Sequence, residues 1–371
     1  MYKEDKELLT EIAKAKNLTQ NTINNYQSAI NKYTTYCGKS MVQLLDEAEQ
    51  EEEDGIRWKR RKIRKHLIGY RASLIDEYEY EGTIRVYLQK ILAIYRHYEI
   101  ELQPLPQVST RNKTKPNVNY TDLPDKEIIR RAVNLTDPKM KALLLFMTSG
   151  GTSRIETLNL RVQDFIQATS EYHNKKDIYE VLEELDPNTD IIPTWRIHRQ
   201  KTNKYHFTFT SPESTRAIIY YLENKEDVLT STSRLFDYDY SYLGKKFGQI
   251  NRKLGLGKVG KYNRFRSHML RKYHATQLSQ GENGLTYDEI DALQGRSKEK
   301  TRQSYFLNNP DDLKRKYARN INQVLILEEV KQVETQEYYE LKKKYEKLEA
   351  NVKEAARLEV KKILEELGYK L

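Results

Sequence analysis

Ser267-His268-Met269-Leu270-Arg271 opens the stretch on which the reading of this chain turns. It continues through Ala275-Thr276-Gln277-Leu278 and Leu293-Gln294-Gly295-Arg296-Ser297, and closes on Thr301-Arg302-Gln303-Ser304-Tyr305. A His and an Arg three residues apart share one face of a helix. A Tyr then follows a turn and a short helix, so the stretch offers two donors and a nucleophile to a single phosphate.

Working upstream, Trp195-Arg196-Ile197-His198-Arg199 and Tyr205-His206-Phe207-Thr208-Phe209 alternate like two strands around Gln200-Lys201-Thr202-Asn203-Lys204. The pattern predicts a hairpin with Lys201 in or beside its turn. Ser211-Pro212-Glu213 opens a helix through Tyr221 and Leu222, and residues 242–254 read as another. Earlier, helical pattern starts at Asp125 and includes the buried run Leu143-Leu144-Leu145-Phe146-Met147. Gly150-Gly151-Thr152-Ser153 turns the chain, and Arg154 starts a helix ending near Leu160. Periodicity weakens after Asp164, and residues 180–190 form an acidic, insertion-like stretch. This region is therefore mostly helical with one small sheet.

Residues 6–100 are helical in pattern, with few glycines and no proline. Thr22, Tyr26, Ile30, Tyr33 and Tyr36 mark one amphipathic helix, and Ile84, Tyr87, Leu88, Ile91, Leu92, Tyr95 and Tyr98 mark a second, with Thr83 placed to cap it. Between them an acidic run, 47–54, precedes a basic one, 57–65, in which Lys59, Arg60, Arg61, Lys62 and Arg64 are closely spaced. A basic run is ordinarily a solvated helix face; beside a site for phosphate chemistry, contact with a DNA backbone is the better reading. Residues 103–120 hold three prolines and a polar, basic middle, and read as a linker. The chain thus divides into 1–102, 103–120, 121–318 and a tail, 319–371. The tail is highly charged, and Leu341, Tyr345, Leu348, Val352 and Ala355 give it a short coiled-coil-like stripe.

A chain of 371 residues holds two domains of ordinary size and an appendage. With 64 Lys and Arg against 54 Asp and Glu, its charge of +10 suits a polyanion. The single Cys37 excludes an intramolecular disulfide and a cysteine-rich zinc site. Neither a signal peptide nor a membrane-spanning run is present, so a cytoplasmic, DNA-associated protein is expected. Tyrosine occurs 28 times, so most tyrosines must be packing or surface residues.

Cleaving a phosphodiester without a metal or other cofactor requires cations on the nonbridging oxygens, an in-line nucleophile and an acid for the departing oxygen. Arg154 and Arg271 supply forked guanidinium donors, whereas Lys201 is a point charge able to give up a proton. His268 can hydrogen-bond to the phosphate or accept the tyrosine proton. Attack by the Tyr305 phenol would conserve the bond energy in a phosphotyrosine. No His-Glu-x-x-His pattern or zinc spacing offers a metal route.

In this order, Arg154, Lys201, His268-Met269-Leu270-Arg271, Gly295-Arg296 and Tyr305 resemble the motifs of the tyrosine recombinase (phage integrase) family, in an archaeal or mobile-element form. The match covers about residues 121–318. The resemblance implies a mainly α fold with a small antiparallel sheet: a helical N-terminal core-binding domain, a catalytic domain and a C-terminal helical tail. It implies a site-specific recombinase whose two domains close on double-stranded DNA like a C-shaped clamp, working as a homotetramer on DNA. Tyr305 would attack, Lys201 would protonate the leaving 5′ oxygen, and a 3′-phosphotyrosine would form. The tail is then a candidate for subunit exchange or packing. Two positions depart from the family pattern. Arg296 stands where His or Trp is usual, and Thr157 stands where an acidic residue is usual, with Glu156 one position earlier. Lys204 competes with Lys201. A type IB topoisomerase and a non-catalytic DNA-binding relative are the alternative readings.

Overall fold

The structure is a computed structural model that describes residues 1–109, 113, 118–185, 190–281, 283–296, 309–327, 343–345, 347–348 and 352. The described residues are mostly helical, with small antiparallel two-stranded sheets. Contacts divide the chain into two compact units, Met1–Asn117 and Val118–Leu371. The division falls inside the 103–120 segment.

In the first unit the helices are α1 (Lys3–Ala15), α2 (Gln20–Cys37), α3 (Met41–Glu53), α4 (Lys62–Glu77) and α5 (Glu81–His97). The two apolar stripes of the sequence lie on α2 and α5, which pack together. Tyr33 is fully buried, shares a hydrogen bond with Tyr95 at 3.1 Å and meets Tyr70 edge-on at 4.9 Å. The Tyr33 and Tyr95 phenols thus partner each other in this core, whereas the buried Tyr70 hydroxyl has no hydrogen-bond partner among the described residues. Most of the acidic run belongs to α3, where Leu44, Leu45 and Ala48 are buried and a Ser40–Gln43 capping box fixes the start. Thr83 is not the cap of α5. The Tyr80 carbonyl accepts from the Thr83 and Ile84 amides, so the helix begins earlier, at Glu81.

The second unit is built around α7 (Pro138–Gly150), in which every residue from Ala142 to Gly150 is buried. It follows α6 (Lys126–Asn134) and leads through a tight turn to α8 (Arg154–Asn159). Gly151 makes the turn at φ 62°, and Ser153 with Glu156 forms a capping box that starts α8 at Arg154. Then come α9 (Val162–Ala168), α10 (Ile178–Glu184), β1 (Thr194–Arg199), β2 (Lys204–Phe209), α11 (Pro212–Glu223) and α12 (Tyr240–Lys253). A two-residue pair, β3 (Lys258–Val259) and β4 (Tyr262–Asn263), precedes α13 (Ser267–Leu278) and α14 (Tyr287–Leu293). Strands this short show no alternation, so the β3–β4 pair has no sequence signature. Both α11 and α13 pack on α7, and Phe146 meets Trp195 edge-on at 4.8 Å.

The packed body continues past Ala318. After the helix Pro310–Arg319, Ile321, Val324, Leu325 and Ile326 are buried, and the Glu213 carboxylate accepts the amides of Ile326 and Leu327 at 2.7 and 2.8 Å. Of the tail stripe, Leu341 and Ala355 lie outside the described residues, while Tyr345, Leu348 and Val352 are exposed. Among the described residues no helix is long and apolar enough to cross a membrane.

The Gly151 turn is a sensitive point. A Cβ there would lie 2.5 Å from the His274 ring, on a backbone already at positive φ. Gly151→Ala is expected to cost about 3 kcal/mol in urea unfolding, through strain and overpacking together.

Candidate active site

The starts of α8 and α13 and one face of α12 enclose a cleft of about 530 Å³ lined by Arg154, Tyr240, Gly244, Arg266, His268 and Arg271, among others. Three residues singled out in the sequence, Arg154, His268 and Arg271, thus meet in one cavity. His268 and Arg271 come from one face of α13, and the capping box of α8 delivers Arg154. The Arg154 guanidinium lies over the Tyr240 ring, 3.6 Å from its centre, and its Nε is buried without a hydrogen-bond partner among the described residues.

Arg271 is almost fully buried and held on several sides. One of its amino groups donates to the Gly151 carbonyl at 2.7 Å and approaches Glu156 at 3.4 Å; the other donates to the Gln294 carbonyl. Burial pulls its pKa down to about 10, with Glu156 opposing the fall. Glu156 also lies 3.7 Å from Arg199 and accepts the Ser153 amide at 2.7 Å. The acidic partner of the cluster is therefore Glu156. Thr157 turns away, its hydroxyl bonding to Thr152 and to the Ser153 carbonyl.

Gln294 ties the end of α14 to this cluster. Its carbonyl also accepts from Arg199 at 2.9 Å, and its buried amide donates to the Arg271 carbonyl and to His274 Nδ1 at 2.9 and 3.0 Å. One residue further on, Gly295 sits at φ 59° against His206, and a Cβ there would meet the ring at 2.4 Å. Arg199, Gln294, His206 and His274 belong to the site and were not singled out in the sequence. Only Gln294 gives a signal in retrospect: a polar residue between Leu293 and Gly295, at the end of an apolar helix face, needs a buried partner.

The three histidines near the cleft are all held below the usual imidazole value. Partial desolvation lowers His268, helped by the charges of Lys272, Arg266, Arg271 and Arg296. It therefore stays neutral near pH 7 and is able to accept a proton. Burial takes His206 to about 4 and His274 to about 3. Both rings remain neutral in the folded protein, whereas in the unfolded chain they take up protons near pH 6.5. The unfolded state then binds more protons between pH 6.5 and about 4 for His206, or about 3 for His274. Stability is present above that window and falls as pH drops through it, by about 1.4 kcal/mol per pH unit for each histidine. Urea unfolding at pH 7 and pH 5 should show the loss, and His206→Gln should flatten the slope.

Lys201 is exposed in the hairpin loop, since Arg199 pairs with Lys204 and leaves residues 200–203 as the turn. Lys204 is exposed at the start of β2. Neither lines the cleft, though the hairpin is anchored beside it through Arg199. Arg296 is exposed and pairs with Asp291 at 3.3 Å, near enough for its charge to act on His268 and Arg271. Tyr305 lies outside the described residues.

The basic run of the first unit is mixed in role. Lys59 and Arg60 are exposed on a single 3₁₀ turn, Trp58–Arg60, and Arg64 is half-buried on α4. Lys62 is exposed and bonded to Glu47 at 2.7 Å. Arg61 stands apart from the surface role expected of it. Its guanidinium is buried, donates to the Ile56 carbonyl at 2.8 Å and pairs with Glu52. It braces the entry to α4 and presents no surface for a backbone phosphate.

No family model and no curated protein matches the chain. Among solved structures, it is similar to XerH site-specific recombinase bound to difH substrate in a pre-cleavage complex, at 17% identity over 83% of this chain and 82% of that one, with a TM-score of 0.48. It is also similar to the Tn1549 transposon integrase in complex with transposon right end DNA, at 13% identity over 84% and 98% of the two chains, TM-score 0.46. A crystal structure of XerA recombinase shows 16% identity over 84% and 96%, TM-score 0.35.

Proposed function

We propose that this chain is a site-specific DNA recombinase that cleaves and rejoins duplex DNA through a 3′-phosphotyrosine on Tyr305. The observation that supports this reading is the convergence of Arg154, His268 and Arg271 on one cleft, with Glu156 bracing the arginine that α13 contributes. Two guanidinium forks and an imidazole offer an electropositive seat for a phosphodiester, and an arginine fork matches two phosphate oxygens at once.

In this mechanism Arg154 and Arg271 neutralise the charge that builds on the nonbridging oxygens of the transition state. Tyr305 attacks phosphorus in line, and its proton passes to neutral His268. The P–O5′ bond breaks as Lys201, or Lys204 in its place, delivers a proton to the leaving oxygen. Attack by the 5′ hydroxyl of a partner duplex then reverses these steps and releases the tyrosine. Unit 1 serves as the core-binding domain, with Lys59, Arg60 and Arg64 on the DNA backbone. Two copies hold each of two sites, giving a tetramer on DNA, and the tail packs between copies. We place the chain among the recombinases of mobile elements.

The test uses nicked suicide duplexes drawn from a random-sequence library, without divalent metal. Wild-type protein should become covalently joined to a subset sharing one sequence. Adducts independent of sequence would mark a topoisomerase, and DNA retention without any adduct would mark a binding protein.

A further inference from the structure

No hydrogen-bond or ion-pair partner among the described residues holds the Arg154 guanidinium, whereas Arg271 is tied to Gly151, Glu156 and Gln294. What Arg154 meets instead is α12. Tyr240 is the first residue of that helix, in a turn fixed by the Asp239 cap, which accepts the Ser241 and Tyr242 amides at 2.8 and 2.9 Å. The guanidinium carbon lies 3.6 Å from the centre of the Tyr240 ring. Gly244 is one turn further on the same helix face, and a Cβ at that position would come within 2.8 Å of Arg154 Nη1.

We infer that Tyr240 and Gly244 form a clamp that positions Arg154 for the phosphate, Tyr240 by stacking on the guanidinium face and Gly244 by leaving room for Nη1. The inference deepens the recombinase reading of the cleft and rests on it. A guanidinium stacked on a ring keeps its N–H edge available for a bidentate bond. A long side chain loses rotamer freedom when it engages a phosphate, and stacking beforehand removes most of that cost. Tyr240 is thus a positioning residue, acting through Arg154. Its own hydroxyl has no part in the clamp.

The test is single-turnover cleavage of a nicked duplex, read beside DNA affinity and Tm. Tyr240→Phe keeps the stack and should cleave at close to the wild-type rate. Tyr240→Leu keeps an apolar body without a ring face and should cleave about tenfold more slowly, the cost of a lost cation–π contact. Gly244→Ala should also slow cleavage by about tenfold as its methyl displaces Nη1, while alanine in a helix interior holds Tm or raises it. DNA affinity should stay unchanged in all three.

Slower cleavage with steady Tm and affinity is the signature of positioning. If wild type cleaves and both Tyr240→Leu and Gly244→Ala keep its rate, the clamp is wrong while the reading of the cleft survives. A Tyr240→Phe variant as slow as Tyr240→Leu overturns it too, by assigning the role to the hydroxyl. So does a rate loss that merely follows a loss of Tm in both variants. If wild type forms no adduct at all, the reading of the cleft falls and the clamp falls with it.

Discussion

Tyr305→Phe is expected to bind DNA as wild type does and to form no covalent adduct. The substitution removes one oxygen and leaves the ring and the net charge, while the oxygen proposed to bond to phosphorus is lost. A nucleophile deletion of this kind leaves nothing to titrate: the adduct band should vanish at every pH and incubation time. Retention of the band at any sizeable fraction of the wild-type level would assign the attack to another residue. Tyr287 is an exposed alternative close in sequence, and it would be the next to replace.

Arg271→Ala should lower cleavage by about a thousandfold, the upper range for removing one hydrogen-bond donor from a transition-state oxyanion. Here the structure changes what the sequence predicts. From the motif alone, Arg154 and Arg271 are equivalent cations, and replacing either should spare everything but catalysis. In the fold they are not equivalent. Arg271 is buried with Glu156 and binds the Gly151 and Gln294 carbonyls, so its loss takes the closer cation from a buried carboxylate and the donor from the Gly151 carbonyl, leaving Arg199, among the described residues, as the one cation on Glu156 and on the Gln294 carbonyl. Arg271→Ala should therefore also cost about 3 kcal/mol in unfolding free energy, whereas Arg154→Ala should lose cleavage with little change in Tm. Equal stability of the two variants would contradict the network drawn around Glu156.

That contrast marks how far the sequence was legible. The order Arg154, Lys201, His268, Arg271 could be read because each sits on an element with a local signature: a Gly-Gly-Thr-Ser turn before a helix, an alternating pair of strands, a His and an Arg on one helix face. The hairpin and the α7–α8 turn appear where their patterns put them. What could not be read is the layer behind the cations. Glu156 against Thr157 was a question of helix phase at a helix start, where one residue of uncertainty turns a side chain by about 100°. Gln294, Arg199 and His274 are joined only by tertiary contact, across sequence separations that no periodicity records. Arg61 shows the converse: in the sequence it is one more cation in a basic run, and only Glu52 and the Ile56 carbonyl, meeting it in space, make it internal. In the first unit the acidic run hid α3, because its charged residues outnumber the few apolar ones that it buries.

The central claim is that Tyr305 carries the DNA strand, and mass spectrometry of the wild-type adduct tests it most directly. After nuclease trimming and trypsin digestion, the peptide that begins at Gln303 should gain the mass of a nucleotide 3′-phosphate, with fragmentation placing it on Tyr305. A nucleotide on any other residue, or a wild-type protein that holds its DNA with no peptide modified, would contradict the account.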